Sequence, residues 1–289
     1  MTETLRPLIS VVIPTRDRAA LLRRCLDRLA PGAQRFDSSR YEVIVSDDAA
    51  PGTAATALAT THPWVRVVSG PQRGPAANRN GGARAARGEW IAFTDDDTEP
   101  SPHWLAAFST AMVPRTNVYE GRTICEGGFG SPLFHAPVNE AGGKLWSCNF
   151  LVQATLFASI GGFDEAFRFP HMEDQDLRER LSSRGEPIAF VRDAVVNHPP
   201  RRQPDGARLG AYREAEVRYL YKHGAHRPVK HELLERIVRY RIGVIRSTPK
   251  SLDSVLALWS LAMESAHVLR HIAEWERRSA LEFPARGAA

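Results

Sequence analysis

Four short apolar runs alternate with helical patterns through the first hundred residues of the chain. The runs cover residues 8–13, 41–46, 65–69 and 90–94, and nearly all are apolar on both faces. Strands of this kind are buried on both sides, which is typical of parallel strands covered by helices. The alternation therefore predicts an α/β fold with a mainly parallel, Rossmann-like sheet flanked by helices.

Helical patterns fill the intervals between the apolar runs and return later in the chain. They cover residues 18–29, 53–60, 76–87 and 174–183. Asp17 is expected to cap the first of these helices, and a further strand is expected over residues 188–192. Residues 114–150 are rich in glycine and proline, which indicates irregular, mobile loops. From residue 207 onward the pattern is one of long helices, which predicts a helical C-terminal extension.

Polar residues follow three of the predicted strands at the point where each strand ends. These segments are residues 14–16, residues 47–48 and residues 95–97. The carboxyl ends of parallel strands share one edge of a sheet, and ligands of such folds bind beyond that edge. The topology alone therefore predicts that the three polar segments converge on one site.

Three adjacent aspartates, Asp95, Asp96 and Asp97, end the fourth predicted strand. Side chains alternate in an extended segment, so Asp95 and Asp97 are expected to point the same way. Neighbouring carboxylates repel one another unless a cation neutralises them, and Mg²⁺ or Mn²⁺ prefers oxygen ligands. The segment therefore predicts a divalent cation site, with a solvated acidic turn as the alternative.

Several classes of protein are disfavoured by what the sequence lacks. No G-x-G-x-x-G follows the first predicted strand and no G-x-x-x-x-G-K-[ST] occurs, which argues against a dinucleotide oxidoreductase and a P-loop enzyme. Cys25, Cys125 and Cys148 form no C-x-x-C pair, so a reducing cytoplasm fits best. No apolar stretch is long enough to span a membrane, and we expect a cytoplasmic protein that could attach to the inner membrane face.

Six short motifs occur in a fixed order. They are SVVIPTR at 10–16, VIVSDD at 43–48, NRNG at 78–81, GEWIAFTDDD at 88–97, GGFDE at 161–165 and EDQDL at 173–177. This ordered set resembles the family 2 glycosyltransferases of the GT-A fold, over roughly residues 8–200. The resemblance implies a glycosyltransferase domain over residues 1–200, with a donor half to about residue 100 and an acceptor half beyond it. Residues 201–289 would form the helical extension.

The resemblance also implies an activity. Members of this family transfer a sugar, with inversion at the anomeric carbon, from a nucleoside-diphosphate sugar to a hydroxyl group. We expect a metal-dependent hexosyltransferase. Among nucleoside-diphosphate sugars, a UDP-sugar is the first choice of donor. The acceptor would be a glycan, a lipid-linked molecule or a small molecule, as in polysaccharide biosynthesis.

Residue roles in donor and metal binding follow from the motifs of the family. The positions that match donor-binding residues are Pro14, Thr15, Arg16, Asp48, Arg73, Asp95 and Asp96. Asp97 matches a direct metal ligand, and His198 matches a histidine that completes the metal shell. The cofactor would be Mn²⁺ or Mg²⁺, and a neutral imidazole suits Mn²⁺ better.

The second acidic motif matches the position of the family's catalytic carboxylate. Inverting transfer needs one general base, and Asp174 is expected to fill that role. The alternative is that Glu173 and Asp174 only favour a helix N-terminus, where acids are stabilised by the helix dipole. Acceptor-binding positions would include Trp146, Asn149, Glu173 and His171.

The C-terminal extension begins with a basic segment. Residues 201–250 hold thirteen Lys or Arg against five Asp or Glu. The simplest reading is a solvated helical face, and the alternatives are an anionic membrane surface or an anionic acceptor. No nucleic acid is expected, because no nucleic-acid-binding motif accompanies the charge.

An apolar stripe follows the basic segment. It is expected to pack on the main domain or a second subunit, as in a homodimer, and it consists of Leu252, Val255, Leu256, Trp259, Met263, Ala266, Leu269 and Ile272.

Two other functions are compatible with the same predicted fold. A sugar-phosphate nucleotidyltransferase would also hold a metal with acidic residues, but that class opens with a glycine-rich loop after the first strand. Residues 14–18 contain no glycine. A non-catalytic carbohydrate-binding relative would be expected to lose the acidic triplet or the base, and this sequence keeps both.

Overall fold

The structure is a computed structural model that describes residues 7–49, 58, 60–225 and 227–284. Most of the helix expected over residues 53–60 lies outside the described residues. The chain divides into two compact units. The first contains the described residues up to Glu126 together with Pro137–Pro199, and the second contains Gly127–Ala136 and the described residues from Pro200 onward.

Ten strands, eight α-helices and one 3-10 helix (Ser38–Arg40) are fully bounded within the described residues. The strands are β1 (Ile9–Thr15), β2 (Tyr41–Asp47), β3 (Val65–Ser69), β4 (Trp90–Thr94), β5 (Glu99–Pro100), β6 (Val118–Ile124), β7 (Phe134–His135), β8 (Asn149–Gln153), β9 (Ile188–Asn197) and β10 (Arg201–Arg202). The helices are α1 (Ala19–Leu29), α2 (Pro75–Ala85), α3 (Trp104–Ala111), α4 (Ala154–Ser159), α5 (Glu173–Ser182), α6 (Gly206–Lys222), α7 (Lys230–Ser247) and α8 (Leu252–Glu282).

An eight-stranded sheet forms the centre of the first unit, in the order β3-β2-β1-β4-β8-β6-β9-β5. The four strands predicted from the apolar runs lie side by side and run parallel, with Thr15 beside Asp47 and Ile9 beside Trp90. Their side chains are buried between helices on both faces, as in the two packed clusters that contain Val11 and Val12. The predicted α/β class is confirmed, and the carboxyl ends of β1, β2 and β4 share one edge.

The other half of the sheet is less regular than the parallel half. Strand β8 runs antiparallel to both β4 and β6, and β6 pairs in parallel with β9. The sequence did not predict β6, because Glu120, Gly121 and Arg122 interrupt its apolar residues. Gly121 is needed there, since a Cβ at this position would lie 2.4 Å from Oδ1 of Asn149. Residues 114–150 therefore contain β6, β7 and the start of β8, which the irregular sequence pattern did not reveal.

The expected cap of the first helix is not formed. Asp17 has a left-handed backbone with φ of 55°, and Arg18 holds the N-cap position without a side-chain hydrogen bond to the helix. Helix α1 begins at Ala19. The prediction of the helix is confirmed, but the prediction of Asp17 as its cap is wrong. The Arg18 side chain pairs instead with Asp96 and Asp97.

The second unit consists of helices α6, α7 and α8 with a short antiparallel ladder between β7 and β10. The face of α8 that is buried is not the predicted apolar stripe. It is the opposite face, which includes Ala257, Leu261, Glu264 and Val268. Glu264 is fully buried because it accepts a charged hydrogen bond of 2.6 Å from Nη2 of Arg213.

Most of the predicted apolar stripe is exposed, although Ile272 is buried. The stripe is therefore not the face that α8 buries within the chain, and its packing on a second subunit stays a prediction. The reason is that ion pairs inside the unit select a partly polar face of α8 for burial, which a hydrophobic pattern does not reveal. Among the helices in the described ranges, none is both long enough and apolar enough to cross a membrane.

Candidate active site

The ends of β1 and β2 are tied together at the shared edge of the sheet. The carbonyl oxygen of Thr15 accepts hydrogen bonds from the backbone N–H of Asp48 (2.9 Å) and from Nδ2 of Asn78 (3.2 Å). Pro14 is buried inside β1, whereas Arg16 is exposed and its Nε lies 3.7 Å from a carboxylate oxygen of Asp17. Topology thus brings Thr15 and Asp48 together, as the sequence predicted.

Asp96 points away from its two acidic neighbours. Its Oδ2 accepts a 2.6 Å hydrogen bond from the Thr15 hydroxyl, and its Oδ1 lies 2.8 Å from Nη2 of Arg18. The side chain is fully buried, and this burial raises the pKa of Asp96 to about 7. A direct donor contact by Asp96 does not fit this position. The reason is that both carboxylate oxygens of Asp96 are held inside the first unit, by the Thr15 hydroxyl and the Arg18 guanidinium.

Asp95 and Asp97 point to the same side, where His198 joins them. One potential ligand atom from each of the three residues lies within 4.8 Å of the other two. Strand β9 ends next to this position, and the N–H of His198 donates to the carbonyl of Ile124 at 2.8 Å. Asp95, Asp97 and His198 are thus assembled from β4 and β9, which are far apart in sequence.

The His198 ring supports a cation at this cluster. Its Nδ1 lies 3.1 Å from the carbonyl oxygen of Pro199, which can only accept, so Nδ1 carries the hydrogen. In the neutral ring Nε2 is then an acceptor, and it lies 3.4 Å from Oδ1 of Asp97. Nε2 is buried and has no hydrogen-bond partner among the described residues. A cation between the two acceptors would satisfy both, and a metal-ligating histidine commonly donates its other N–H to a carbonyl.

Arg18 is a member of the site that the sequence analysis missed. Its Nη1 donates a 2.9 Å hydrogen bond to Oδ2 of Asp97, while Nη2 contacts Asp96. The guanidinium therefore offsets part of the negative charge of the acidic segment. The only sequence signal was its place just after the first strand, in the segment that the topology brings to the site.

Glu173 and Asp174 open helix α5 of the first unit. Met172 precedes them with a left-handed φ of 72°, which turns the chain into the helix. Oδ1 of Asp174 accepts from the N–H of Gln175 at 2.8 Å, and both carboxylates are buried. Burial raises the pKa of both carboxyls, and the nearby Arg79 guanidinium opposes this rise. A buried carboxylate with a raised pKa is suited to accept a proton near neutral pH.

Arg79 connects the two acidic groups. Nη2 donates to Oδ1 of Asp95 at 2.7 Å, and Nη1 donates to Oε1 of Glu173 at 3.0 Å. The side chain is buried against the ring of Phe163. The sequence alone assigned no role to Arg79 beyond its place in the NRNG motif. Its place within the NRNG motif, on the otherwise small and uncharged buried face of α2, was the signal for a larger role.

Two further donor candidates lie in different surroundings. Oδ1 of Asp48 accepts from the N–H of Gln72 at 2.9 Å, and burial raises the pKa of this carboxyl. Arg73 is largely exposed, and its Nη2 lies 2.6 Å from Oε2 of Glu165. The structure places Asp48 at the shared edge but does not bring Arg73 into the acidic cluster.

The predicted acceptor residues do not form one group. Asn149 does not fit an acceptor role, because it is buried and its amide contacts Trp104, Arg122 and Ala194. Trp146 is half-buried, and its Nε1 donates to the carbonyl of Val138 at 3.0 Å. His171 lies two residues before Glu173. Burial raises the pKa of that carboxyl, and the His171 side chain opposes this rise.

The loop before Trp146 is anchored rather than loose. Glu120 of β6 accepts hydrogen bonds from Nδ2 of Asn139 (2.9 Å) and from the N–H groups of Lys144 (3.0 Å) and Leu145 (2.8 Å). It also accepts from the N–H of Gly143. The glycine pair at residues 142–143 suggested mobility, but a buried carboxylate in an unpredicted strand holds this segment. Sequence reasoning gave no sign of Glu120.

Comparisons with known proteins agree with these features. Residues 10–131 match the family model described as glycosyl transferase family 2. Validoxylamine A glucosyltransferase of Streptomyces hygroscopicus subsp. jinggangensis is 26% identical over 260 residues, which cover 75% of this chain and 61% of the relative. The chain thus spans less than two thirds of the length of that relative.

Solved structures support the fold. The mannosyltransferase PcManGT from Pyrobaculum calidifontis, in complex with GDP-Man and Mn²⁺, aligns with a TM-score of 0.55 at 20% identity over 96% of this chain and 79% of that one. S. aureus TarS 1–349, in complex with UDP-GlcNAc, aligns with a TM-score of 0.57 at 16% identity over 94% and 88%. The resemblance seen in the sequence motifs is therefore confirmed: residues 10–131 match glycosyl transferase family 2, and the fold is that of GT-A glycosyltransferases.

Proposed function

We propose that this protein is an inverting glycosyltransferase that moves a sugar from a nucleoside-diphosphate sugar to an acceptor hydroxyl. The observation that carries the proposal is the continuous chain of contacts from Asp95 through the buried Arg79 to Glu173, next to Asp174. This chain joins a cluster suited to a cation with a carboxylate suited to act as a base. The family match and the names of the relatives support the same activity.

We propose Mn²⁺ or Mg²⁺ as the cofactor, held by Asp97 and His198, with Asp95 facing either the ion or the donor. When bound, such an ion would neutralise the negative charge of the donor diphosphate and of the diphosphate that leaves. Support comes from the geometry of the three ligand atoms and from the Mn²⁺ complex of PcManGT. Thr15 and Asp48 are proposed to face the nucleoside, because both lie at the edge where ligands of such sheets bind.

In the proposed reaction, the oxygen of the acceptor hydroxyl attacks the anomeric carbon from the face opposite the diphosphate. The hydroxyl proton passes to the carboxylate of Asp174. The bond between the anomeric carbon and the diphosphate oxygen breaks, and its electron pair leaves with the nucleoside diphosphate. Attack from the opposite face inverts the configuration, and burial of Asp174 strengthens the base that accepts the proton.

We propose the donor and the acceptor by chemical class. Neighbouring structures carry GDP-Man and UDP-GlcNAc, and we propose a UDP-sugar as the first donor to test. The acceptor is proposed to be a glycan, a lipid-linked molecule or a small molecule. A role in polysaccharide biosynthesis at the inner face of the membrane would match a lipid-linked acceptor.

Two substitutions separate catalysis from donor binding. Asp174→Asn keeps size but removes the basic carboxylate, so transfer to acceptor should fall by about 100-fold to 10,000-fold while donor binding survives. Asp97→Asn should instead weaken nucleoside-diphosphate binding in Mn²⁺. Calorimetry with UDP and GDP, in chelator and in Mn²⁺, measures the binding, and a transfer assay measures turnover.

Asp193→Asn is the matched control, because Asp193 is exposed on β9. It should change neither binding nor transfer. Near-normal transfer by Asp174→Asn would remove this residue from the mechanism. Equal nucleotide affinity in chelator and in Mn²⁺ would remove the metal. Coupling of a sugar phosphate to a nucleoside triphosphate would instead identify a nucleotidyltransferase.

A further inference from the structure

Helix α8 carries an apolar face that nothing in the described chain covers. We call it the outer face, and it consists of Leu252, Val255, Leu256, Trp259, Met263 and Ala266. Trp259 is 67% exposed and Leu252 is 73% exposed. The residues recur at intervals of three or four, so they form one stripe along about four turns. Exposed apolar stripes of this length usually mark an interaction surface.

The opposite face of α8 is already occupied inside the second unit. Ala257, Leu261 and Val268 are buried there, and Glu264 is paired with Arg213. The capping box between Ser251 and Ser254 fixes the start of the helix. Helix α8 is therefore already docked within its own unit, and it is docked through the face opposite the outer face.

Positive charge lies at both ends of the outer face. Arg246 and Lys250 are exposed just before the helix begins, and Arg270 is exposed on the same side, one turn beyond Ala266. The stripe presents no exposed acid between Leu252 and Ala266, and the exposed Glu274, one turn beyond Arg270, is paired with Arg278. Asp253 is half-buried and accepts a 2.6 Å hydrogen bond from Ser131.

We propose that the outer face of α8 docks on an anionic lipid bilayer, with the helix lying in the plane of the interface. Apolar side chains would enter the boundary between headgroups and acyl chains, and the flanking basic residues would contact anionic headgroups. Trp259 near the middle of the stripe suits this boundary, because indole has an apolar ring and one N–H donor.

The charge distribution favours a bilayer over a second copy of the chain. An antiparallel pair of α8 helices would place Arg246 and Lys250 of one copy beside Arg270 of the other. Like charges would then meet at both ends of the pair. The stripe between Leu252 and Ala266 offers no exposed acid to balance them, and Glu274 beyond Arg270 is already paired with Arg278. An anionic surface attracts both ends at once.

The test is binding of the full chain to vesicles, without donor or acceptor. Vesicles of phosphatidylcholine with phosphatidylglycerol should bind the protein at low salt, and binding should weaken as salt rises. Phosphatidylcholine alone should bind it much less. Because no sugar transfer is measured, this result is distinguishable from failure of the proposed function.

Variants locate the contact on the protein. Trp259→Glu should lower the partition coefficient by on the order of tenfold or more, since it places a charge in the middle of the apolar stripe. Arg270→Glu should lower it through charge alone. Val113→Glu is the matched control, because Val113 is an exposed apolar residue of the first unit and should leave binding unchanged. Trp259 and Arg270 are exposed, and circular dichroism verifies that each variant is folded.

Three outcomes would overturn the proposal. One is absence of wild-type binding to the anionic vesicles at low salt, and another is equal binding by Trp259→Glu. The third is a dimer in solution that Trp259→Glu converts to monomer while vesicles bind neither protein. That last result would assign the outer face to a second copy of the chain.

Discussion

Two arginines balance the buried acids of the candidate active site. Arg18 pairs with Asp96 and Asp97, and Arg79 pairs with Asp95 and Glu173. Buried carboxylates without such partners would take up protons rather than stay charged. The two arginines therefore help to keep the site negatively charged near neutral pH.

The pH dependence of transfer should report this balance at Arg79. A general base acts when it is deprotonated, so activity is lost as pH falls through the pKa of Asp174. Burial raises that pKa, and Arg79 lowers it. Arg79→Met removes the opposing charge, so the acid limb of the pH–rate profile should move to higher pH by on the order of one unit. Profiles of kcat/KM for both proteins measure the shift.

Arg79→Lys provides a second measurement, because it keeps the positive charge but loses the two-pronged contact. Its acid limb should move less than that of Arg79→Met. Arg73→Met serves as the control, since Arg73 is largely exposed and pairs with Glu165. An acid limb that stays in place in Arg79→Met would contradict the influence of Arg79 on Asp174.

The residues of the acidic cluster could be predicted because strand ends converge and side chains alternate. The same reasoning placed Asp95 and Asp97 on one side, and the structure agrees. It could not show that Asp96 turns inward to Thr15, because that depends on the depth of the sheet edge. It also could not identify Arg18 or Arg79, because an arginine in or next to a predicted helix usually lies on the solvated face.

At the scale of elements, Glu120 decides the conformation of the loop before Trp146. Glu120→Ala would leave the N–H groups of Lys144 and Leu145 without their acceptor. An unpaired buried N–H costs about 1–3 kcal/mol, which is roughly a tenfold to hundredfold increase in local opening. Hydrogen–deuterium exchange of the peptide that covers residues 142–146 should accelerate by that factor.

Glu140→Ala is the control for this experiment. Glu140 is exposed, and its carboxylate lies 3.3 Å from Nη2 of Arg122. Exchange over residues 142–146 should stay unchanged in this variant. Equal acceleration by both substitutions would show that Glu120 does not anchor the loop.

Strands that consist of one continuous apolar run could be predicted from the sequence. A strand whose apolar run is interrupted by polar residues or glycine could not. Strands β3 and β4 have the predicted bounds, and α5 begins one residue earlier than expected. Strand β6 was missed because its Glu120 and Gly121 serve neighbours that lie far away in sequence. Local patterns describe a strand's own burial but not the hydrogen bonds that it offers to distant loops.

At the scale of the whole molecule, the second unit is held by an ionic network. Glu264 pairs with Arg213 and lies 3.7 Å from Nε of Arg241, while Glu216 pairs with Arg213 and Arg236. Removing one member of a buried ion pair is costly because its partner stays charged in the interior. The network therefore ties α6, α7 and α8 together.

Glu264→Gln should destabilise the second unit by about 3–5 kcal/mol, the usual cost of breaking a buried pair. Urea unfolding followed by exchange of peptides from α6 and α8 measures the loss. Glu274→Gln is the matched control on the same helix, because Glu274 is exposed and its ion pair with Arg278 should contribute at most about 1 kcal/mol. Similar losses in both variants would contradict a structural role for the network.

The partly polar inner face of α8 also fixes how the helix is rotated about its axis. An apolar seam tolerates small rotations, because contacts between methyl groups have no preferred direction. Charged hydrogen bonds do have one, and Glu264 meets Arg213 in a single orientation of the helix. The direction in which Trp259 projects is therefore set from inside the unit, and any partner of the outer face must approach from that one side.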